Sequence, residues 1–384
     1  MNQHGFLRSF MLLAVFGGVA IGLGRVVTTF YALHLGANNA QIGYIAALEA
    51  FGRLLVTLPA GFIIARYGAR SIYALSSLVP MLLNACIPWV SVWYGVALTR
   101  GLVGLAIPFR IVAMNSSFLQ QLHLLGPAKT GWYRGAQSFG VMILGPVLAS
   151  LMVSHTSYTW SYLLVALMFG IMALCSHKVL PGEEAAVETA HTIPAEGFLL
   201  QLKALWNIRA VRDSCVVEFV NSATGAVFTT FILVLALTVA MLPDELAVML
   251  VTIQGLTTVT ASFALGHLLA IMDRKKVQLL SVLLAIAGLL LLGTCLQFIW
   301  LAIGTVLLGS GSSLIGLSRT LQLSQLPVSK SKISGIYNLS NMSGAFVGAI
   351  AGGLLGEWLG LQGLFLLWIP VFLLTLYWAN RKEH

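Results

Sequence analysis

Residues 61–70 read Gly61-Phe62-Ile63-Ile64-Ala65-Arg66-Tyr67-Gly68-Ala69-Arg70: an apolar run stops at a turn carrying two arginines, and a second apolar run starts at Ser71. The arrangement recurs along the chain. Arg8, Lys129, Arg134, Lys178, Lys203, Arg209, Arg212, Arg274, Lys275, Lys276, Arg319, Lys330, Lys332, Arg381 and Lys382 join Arg66 and Arg70 at every second turn between apolar runs. The intervening turns hold no Lys or Arg. Such a positive-inside distribution predicts that the basic turns and both termini face the cytoplasm. The other four of the 21 cations, Arg25, Arg53, Arg100 and Arg110, fall inside apolar runs.

Hydrophobic residues make up 58% of the 384 and charged residues 9%, with a mean hydropathy of +0.92. A soluble domain carries roughly 25% charged residues, so the solvent for this surface is lipid. Each run has about the 20 residues that a helix needs to cross the hydrocarbon. The run after Arg8 continues through Leu35, too long for a signal-peptide core, and reads as the first membrane helix. The net charge of +9 sits in short turns and follows from topology, which argues against nucleic-acid binding. Cys86, Cys175, Cys215 and Cys295 are isolated, without a Cys-x-x-Cys or Cys/His spacing, and read as small apolar residues rather than disulfides or metal ligands. The sequence has no phosphate-cradling Gly-x4-Gly-Lys loop, nucleophile elbow or metal cluster, so neither an enzyme nor an ATP-driven pump is expected, and no cofactor.

About twelve spans are predicted, near 9–34, 40–65, 71–90, 94–118, 132–153, 158–177, 213–241, 245–271, 277–295, 298–320, 333–356 and 361–380: an all-α integral membrane protein. The stretch 178–212 breaks the pattern. It is polar, with Pro181, Gly182, Pro194 and four of the twelve acids, Glu183, Glu184, Glu188 and Glu196. It reads as a cytoplasmic linker, with a surface helix near Phe198–Trp206, between a six-helix bundle at 1–177 and another at 213–384. The halves resemble each other internally. Gly101, Gly104 and Pro108 precede a turn with Pro127 and Lys129, followed by Gly135, Gly140, Gly145 and Pro146. Gly309, Gly311 and Gly316 precede a turn with Pro327 and Lys330, followed by Gly335, Gly344 and Gly348. Two such repeats point to a transporter with its site between them. The glycines suit close helix packing, a hinge, or both.

Gly61 to Arg70 resembles the signature loop of the major facilitator superfamily, Gly-x3-Asp-Arg-x-Gly-x-Arg. Gly61, Arg66, Gly68 and Arg70 match; Ala65 stands where the acid belongs, and the corresponding second-half loop, Gly266 to Lys276, has Asp273 displaced. In that family the acid helps latch the two halves, so its loss puts the latch in doubt. Arg100 and Gly104 resemble the family's Arg-x3-Gly element, tied to proton coupling. Gly145-Pro146 resembles an element common in its antiporters, without the later glycines. The resemblance spans the whole chain and implies two six-helix bundles working by alternating access. It also implies that spans one, four, seven and ten line a central cavity, which Arg25, Arg100, Arg110 and Glu218 would face.

A charge within the bilayer costs at least about 2.5–3.5 kcal/mol, so charges persist there when they pair or line water. Arg25, Glu49 and Arg100 fall at similar depth in the outer half; Arg110 and Glu218 fall in the inner half. Glu49 and Arg53 are spaced i,i+4 and can pair. Four arginines against two glutamates leave surplus positive charge, which either staples helices or awaits a solute's carboxylate or phosphate through bidentate bonds. On the second reading Arg25, Arg100, Arg110 and Asn221 are substrate-binding, and Glu49, then Glu218, are proton-coupling. Arg110 and Glu218 are also candidates for a cytoplasmic ion-pair gate; alternatively Glu218 sits at a wet helix end near Asp213. Gln137, Gln254, Asn338 and Asn341 read as interhelical hydrogen-bonding groups, with solute contact as the alternative, and Trp89, Trp93, Trp160, Trp300 and Trp358 as an interfacial aromatic belt.

The expectation is a monomeric, proton-coupled exporter of a small acidic or zwitterionic solute, an amino-acid-like metabolite or a metallophore, in a bacterial inner membrane. A promiscuous multidrug exporter and a non-transporting sensor on the same scaffold are the alternatives.

Overall fold

The computed structural model describes residues 3–125, 130–180, 206–264, 272, 274–324 and 330–380. Several expectations fall outside them: the Pro127–Lys129 turn, most of the linker with its Phe198–Trp206 helix, the Gly266–Lys276 loop as far as Asp273, Pro327, Arg381 and Lys382.

The described residues form helices and no strands. In hydrocarbon every backbone donor and acceptor must find a partner within the protein, and a helix meets that requirement within one segment. We number the helices α1 (Gln3–His34), α2 (Asn39–Tyr67), α3 (Ala69–Cys86), α4 (Trp93–Leu125), α5 (Thr130–Phe139), α6 (Gly145–His155), α7 (Tyr158–Val179), α8 (Arg209–Val234), α9 (Asp244–Ala264), α10 (Arg274–Thr294), α11 (Phe298–Ser324) and α12 (Lys330–Asn380). A π-helical turn, Gly140–Leu144, joins α5 to α6 as one span. The long α12 breaks at Gly360, whose φ of 74° ends one helix and lets another begin, so α12 holds two spans. Among the described residues, nine stretches are long and apolar enough to cross a membrane, the last being Gly335–Thr375. Counting that stretch twice and adding α2 and α9 gives the twelve spans expected from the sequence.

Polar turns fix the helix ends. Asn38 Oδ1 accepts from Gln41 N at 2.9 Å and Gln41 Oε1 accepts from Asn38 N at 3.1 Å, a capping box that starts α2. At its other end Gly68 adopts φ 82°, and the chain reverses into α3. Trp89, Trp160, Trp300 and Trp358 lie exposed at helix ends, as expected of a belt.

The chain divides into two compact units, Met1–His191 and Thr192–His384. In the first, α1 packs along α5, α6 and α7, and α2 packs along α4. Both contacts run through glycine: a Cβ at Gly18 or Gly22 would overlap the backbone of α5 and the π-turn, and one at Gly104 would overlap that of Glu49. In the second unit α8 packs on α12, where Gly344 meets Phe219 and Gly348 meets Ala223. Close packing therefore accounts for these glycines.

One basic residue departs from its expected place. Arg319 was assigned to a cytoplasmic turn, but α11 continues to Ser324 and Arg319 is only 6% exposed. Its Nη1 donates to Gln322 Oε1 at 3.0 Å, and the same oxygen accepts from Ser214 of α8 at 3.4 Å. The helix is described through Ser324, four residues past the expected end of the span at 320.

Candidate functional site

The first 182 residues contain one acid, Glu49, and ten Lys and Arg. The structure collects three of those cations around it. The glycine contact between α2 and α4 brings Arg100 to Glu49: Arg100 Nε donates to Glu49 Oε2 at 2.9 Å, and Arg100 Nη2 donates to the same oxygen. Arg53, one helical turn along α2, places Nη2 at 3.1 Å from Glu49 Oε1. Arg25 of α1 stands within electrostatic range of Glu49, Arg53 and Arg100. Glu49 is 5% and Arg100 3% exposed. Three guanidinium groups against one carboxylate leave the cluster with two surplus positive charges if Glu49 is ionised. Next to it, Tyr162 OH donates to Thr28 Oγ1 at 3.2 Å, a buried hydroxyl pair on the α1 side.

Arg110 takes no part in this cluster. Ten residues beyond Arg100 on α4, it lies about 15 Å further along the helix. Its partners are neutral side chains of α3 and α7: Ser77 Oγ at 3.0 Å, Tyr73 OH at 3.1 Å and Met172 Sδ at 2.9 Å. The rings of Tyr73 and Phe169 lie 5.1 and 4.6 Å from its guanidinium carbon. None of these residues stood out in the sequence, because an aromatic or a serine in an apolar run carries no periodic signal.

In the second unit, Glu218 of α8 is 5% exposed and accepts from Tyr337 OH and Asn341 Nδ2 of α12, each at 2.5 Å. Among the described residues no cation pairs with it. Arg209 and Arg212 lie near Asp213 instead. Burial thus separates Glu218 from the wet end where Asp213 sits. Asn341, read from sequence as an interhelical hydrogen-bonding group, does that work here; Tyr337 went unnoticed. Asn221 donates to Ser312 O at 3.3 Å, while its Oδ1 is buried without a hydrogen-bond partner among the described residues. Thr224 is engaged between helices, accepting from Trp368 Nε1 at 2.7 Å.

Of the signature-loop residues, Arg70 makes a contact across helices. Gly61 has open space where a Cβ would stand. Arg66 is exposed and lies over the Tyr67 ring. Arg70 Nε and Nη2 both donate to the Leu180 carbonyl, at 3.1 and 2.7 Å, and so cap the C-terminus of α7. Gly145 and Pro146 are buried directly after the π-turn, with Gly145 against Gly22. Among the described residues no three His, Cys, Asp or Glu side chains group as metal ligands would. An apolar cavity of about 390 Å³ between α2, α3 and α4 is lined by Ile63, Leu75, Leu102 and Phe109, with Ser76 its polar member, and lies apart from the charged groups.

A model of the Major Facilitator Superfamily matches residues 9–243 and 215–384. Among solved structures, the nucleoside transporter NupG is similar over 100% of both chains at 15% identity, with a TM-score of 0.84. A point variant of NupG reaches 0.85 at 14% identity, over 97% of this chain and 98% of that one. A bacterial homologue of the human lysosomal transporter Spinster, inward-facing and unoccupied, reaches 0.77 at 12% identity, over 99% and 97%. No curated protein matches in sequence.

Proposed function

Because the chain belongs to the major facilitator superfamily and is therefore a secondary transporter, we propose that it is a proton-coupled exporter of a small acidic or zwitterionic organic solute, an amino-acid-like metabolite or a metallophore. The carrying observation is that Arg53 and Arg100 both engage Glu49, the one carboxylate of the first 182 residues, with Arg25 within electrostatic range. A solute carboxylate would take over Arg100 through paired N–H···O bonds, the geometry a guanidinium fork provides. Glu49, deprived of that partner in a dry site, would then take up a proton, and solute release would return it. Arg25 is the second cation for the solute, and Asn221, with its unpartnered oxygen, a neutral contact. Glu218, held only by neutral donors, is the second candidate for the proton. The outward direction rests on Gly145-Pro146, which follows a π-turn of the kind that marks functional sites. We place the protein in a bacterial inner membrane as a monomer with both termini cytoplasmic.

The similarity to NupG favours a second reading, an uncharged nucleoside as solute. That solute would leave the two surplus charges unmet. Proteoliposomes with an imposed pH gradient separate the readings. Counterflow of acidic amino acids or of carboxylate chelators, lost in Arg100→Gln, supports the acid reading. Counterflow of uridine or adenosine that survives Arg100→Gln overturns it. Broad transport of apolar drugs that tolerates neutralising both Arg25 and Arg100 would instead indicate a multidrug exporter.

A further inference from the structure

Arg110 raises a separate question of charge. It is only 4% exposed. Glu49, the one acid of the first 182 residues, is engaged by Arg53 and Arg100. Arg110's hydrogen bonds use Nε and Nη2, and among the described residues Nη1 makes none. The Tyr73 and Phe169 faces stabilise the cation by about 2 kcal/mol when desolvated, but they carry no net charge. A buried cation with neutral neighbours alone is costly unless a counter-ion joins it.

Space for one is present. Arg110 lines a cavity of about 20 Å³ with Gly17, Ile21, Ile111, Met114 and Gln137. A single water needs about 10–15 Å³ of such space, so the cavity has room for one compact ion. Gly17 lines it, and a Cβ there would stand 3.3 Å from both Arg110 Nη2 and Met172 Sδ, tight enough to push the guanidinium out of place.

We propose that this cavity is a binding site for a small inorganic anion of halide size, held by Arg110 within the first unit. It is independent of the solute reading, which rests on Arg25, Arg53, Arg100 and Glu49. The test is thermal unfolding of the purified full chain at constant ionic strength, with chloride or bromide replacing gluconate. A saturable rise in Tm with either halide is expected, lost in Arg110→Gln and in Gly17→Ala, together with an anomalous bromide peak beside Arg110 in a crystal. Equal Tm values in halide and gluconate overturn the proposal, as does a halide response that persists in Gly17→Ala. If acetate and gluconate stabilise as chloride does and Gly17→Ala abolishes all three responses, the site takes carboxylates and the small-anion assignment fails. Should Arg110→Gln not fold, Gly17→Ala still decides, since only the flexible ends of Arg110 and Met172 stand near the added methyl.

Discussion

Replacing Glu49 by Gln tests the proton-coupling mechanism at its centre. In the native cluster a solute carboxylate must displace Glu49 from Arg100, which donates two hydrogen bonds to Glu49 Oε2. Each hydrogen bond to a charged group contributes about 1.5–3 kcal/mol. Gln retains an acceptor oxygen but no charge, so it competes less well by about one such bond. At about 1.4 kcal/mol per tenfold, acid binding should tighten roughly 10- to 100-fold. The change also removes the group that takes the proton. Native affinity should rise as pH falls, because protonating Glu49 frees Arg100; in Glu49→Gln affinity should be flat over the same range. Proton-driven transport should vanish while counterflow exchange continues. Radiolabelled binding to purified protein reads the affinity, and proteoliposomes with and without a pH gradient read the two transport modes. The reasoning fails if affinity falls or stays level, or if a pH gradient still drives uptake. Glu49→Gln also leaves Arg53 and Arg100 without their carboxylate, and breaking a buried pair costs about 3–5 kcal/mol. Unfolding should therefore occur at lower temperature without solute and recover more than the native protein when the acid is added.

Gly104→Val puts a side chain where α4 meets the Glu49 backbone; overpacking of this kind costs about 1–3 kcal/mol, and loss of acid binding with the helix content retained in circular dichroism is the expected outcome. Tyr337→Phe removes one of two neutral donors to Glu218, a loss of about 1.5–3 kcal/mol that should lower the unfolding midpoint in proportion; an unchanged midpoint would mean that water replaces the hydroxyl. Arg70→Ala strips the Leu180 carbonyl of both side-chain donors, so hydrogen exchange should quicken in the last turn of α7 while solute affinity holds.

Much of this arrangement was legible in the sequence. The apolar runs mark the spans, whose lengths follow from the match between helix rise and hydrocarbon thickness. Glu49 and Arg53 are paired by helical periodicity alone. The family resemblance rests on a turn, Gly61 to Arg70, whose Gly68 does adopt the positive φ that glycine permits. Arg319 shows the limit of that kind of reading: polarity places it at a turn, whereas it is buried on α11 beside Gln322.

What the sequence determined by itself is the set of properties that act over one or two helical turns: preference for lipid, helix direction, and the count of charges that lipid cannot solvate. Only the tertiary structure decided which of those charges meet. Arg100 reaches Glu49 across 51 positions because glycine lets two helix backbones touch, Glu218 finds Tyr337 across 119, and Arg110 is walled by rings from α3 and α7. Such meetings depend on the rotation and separation of whole helices, and a shift of a few ångströms in either changes the partner while leaving hydropathy, periodicity and composition untouched.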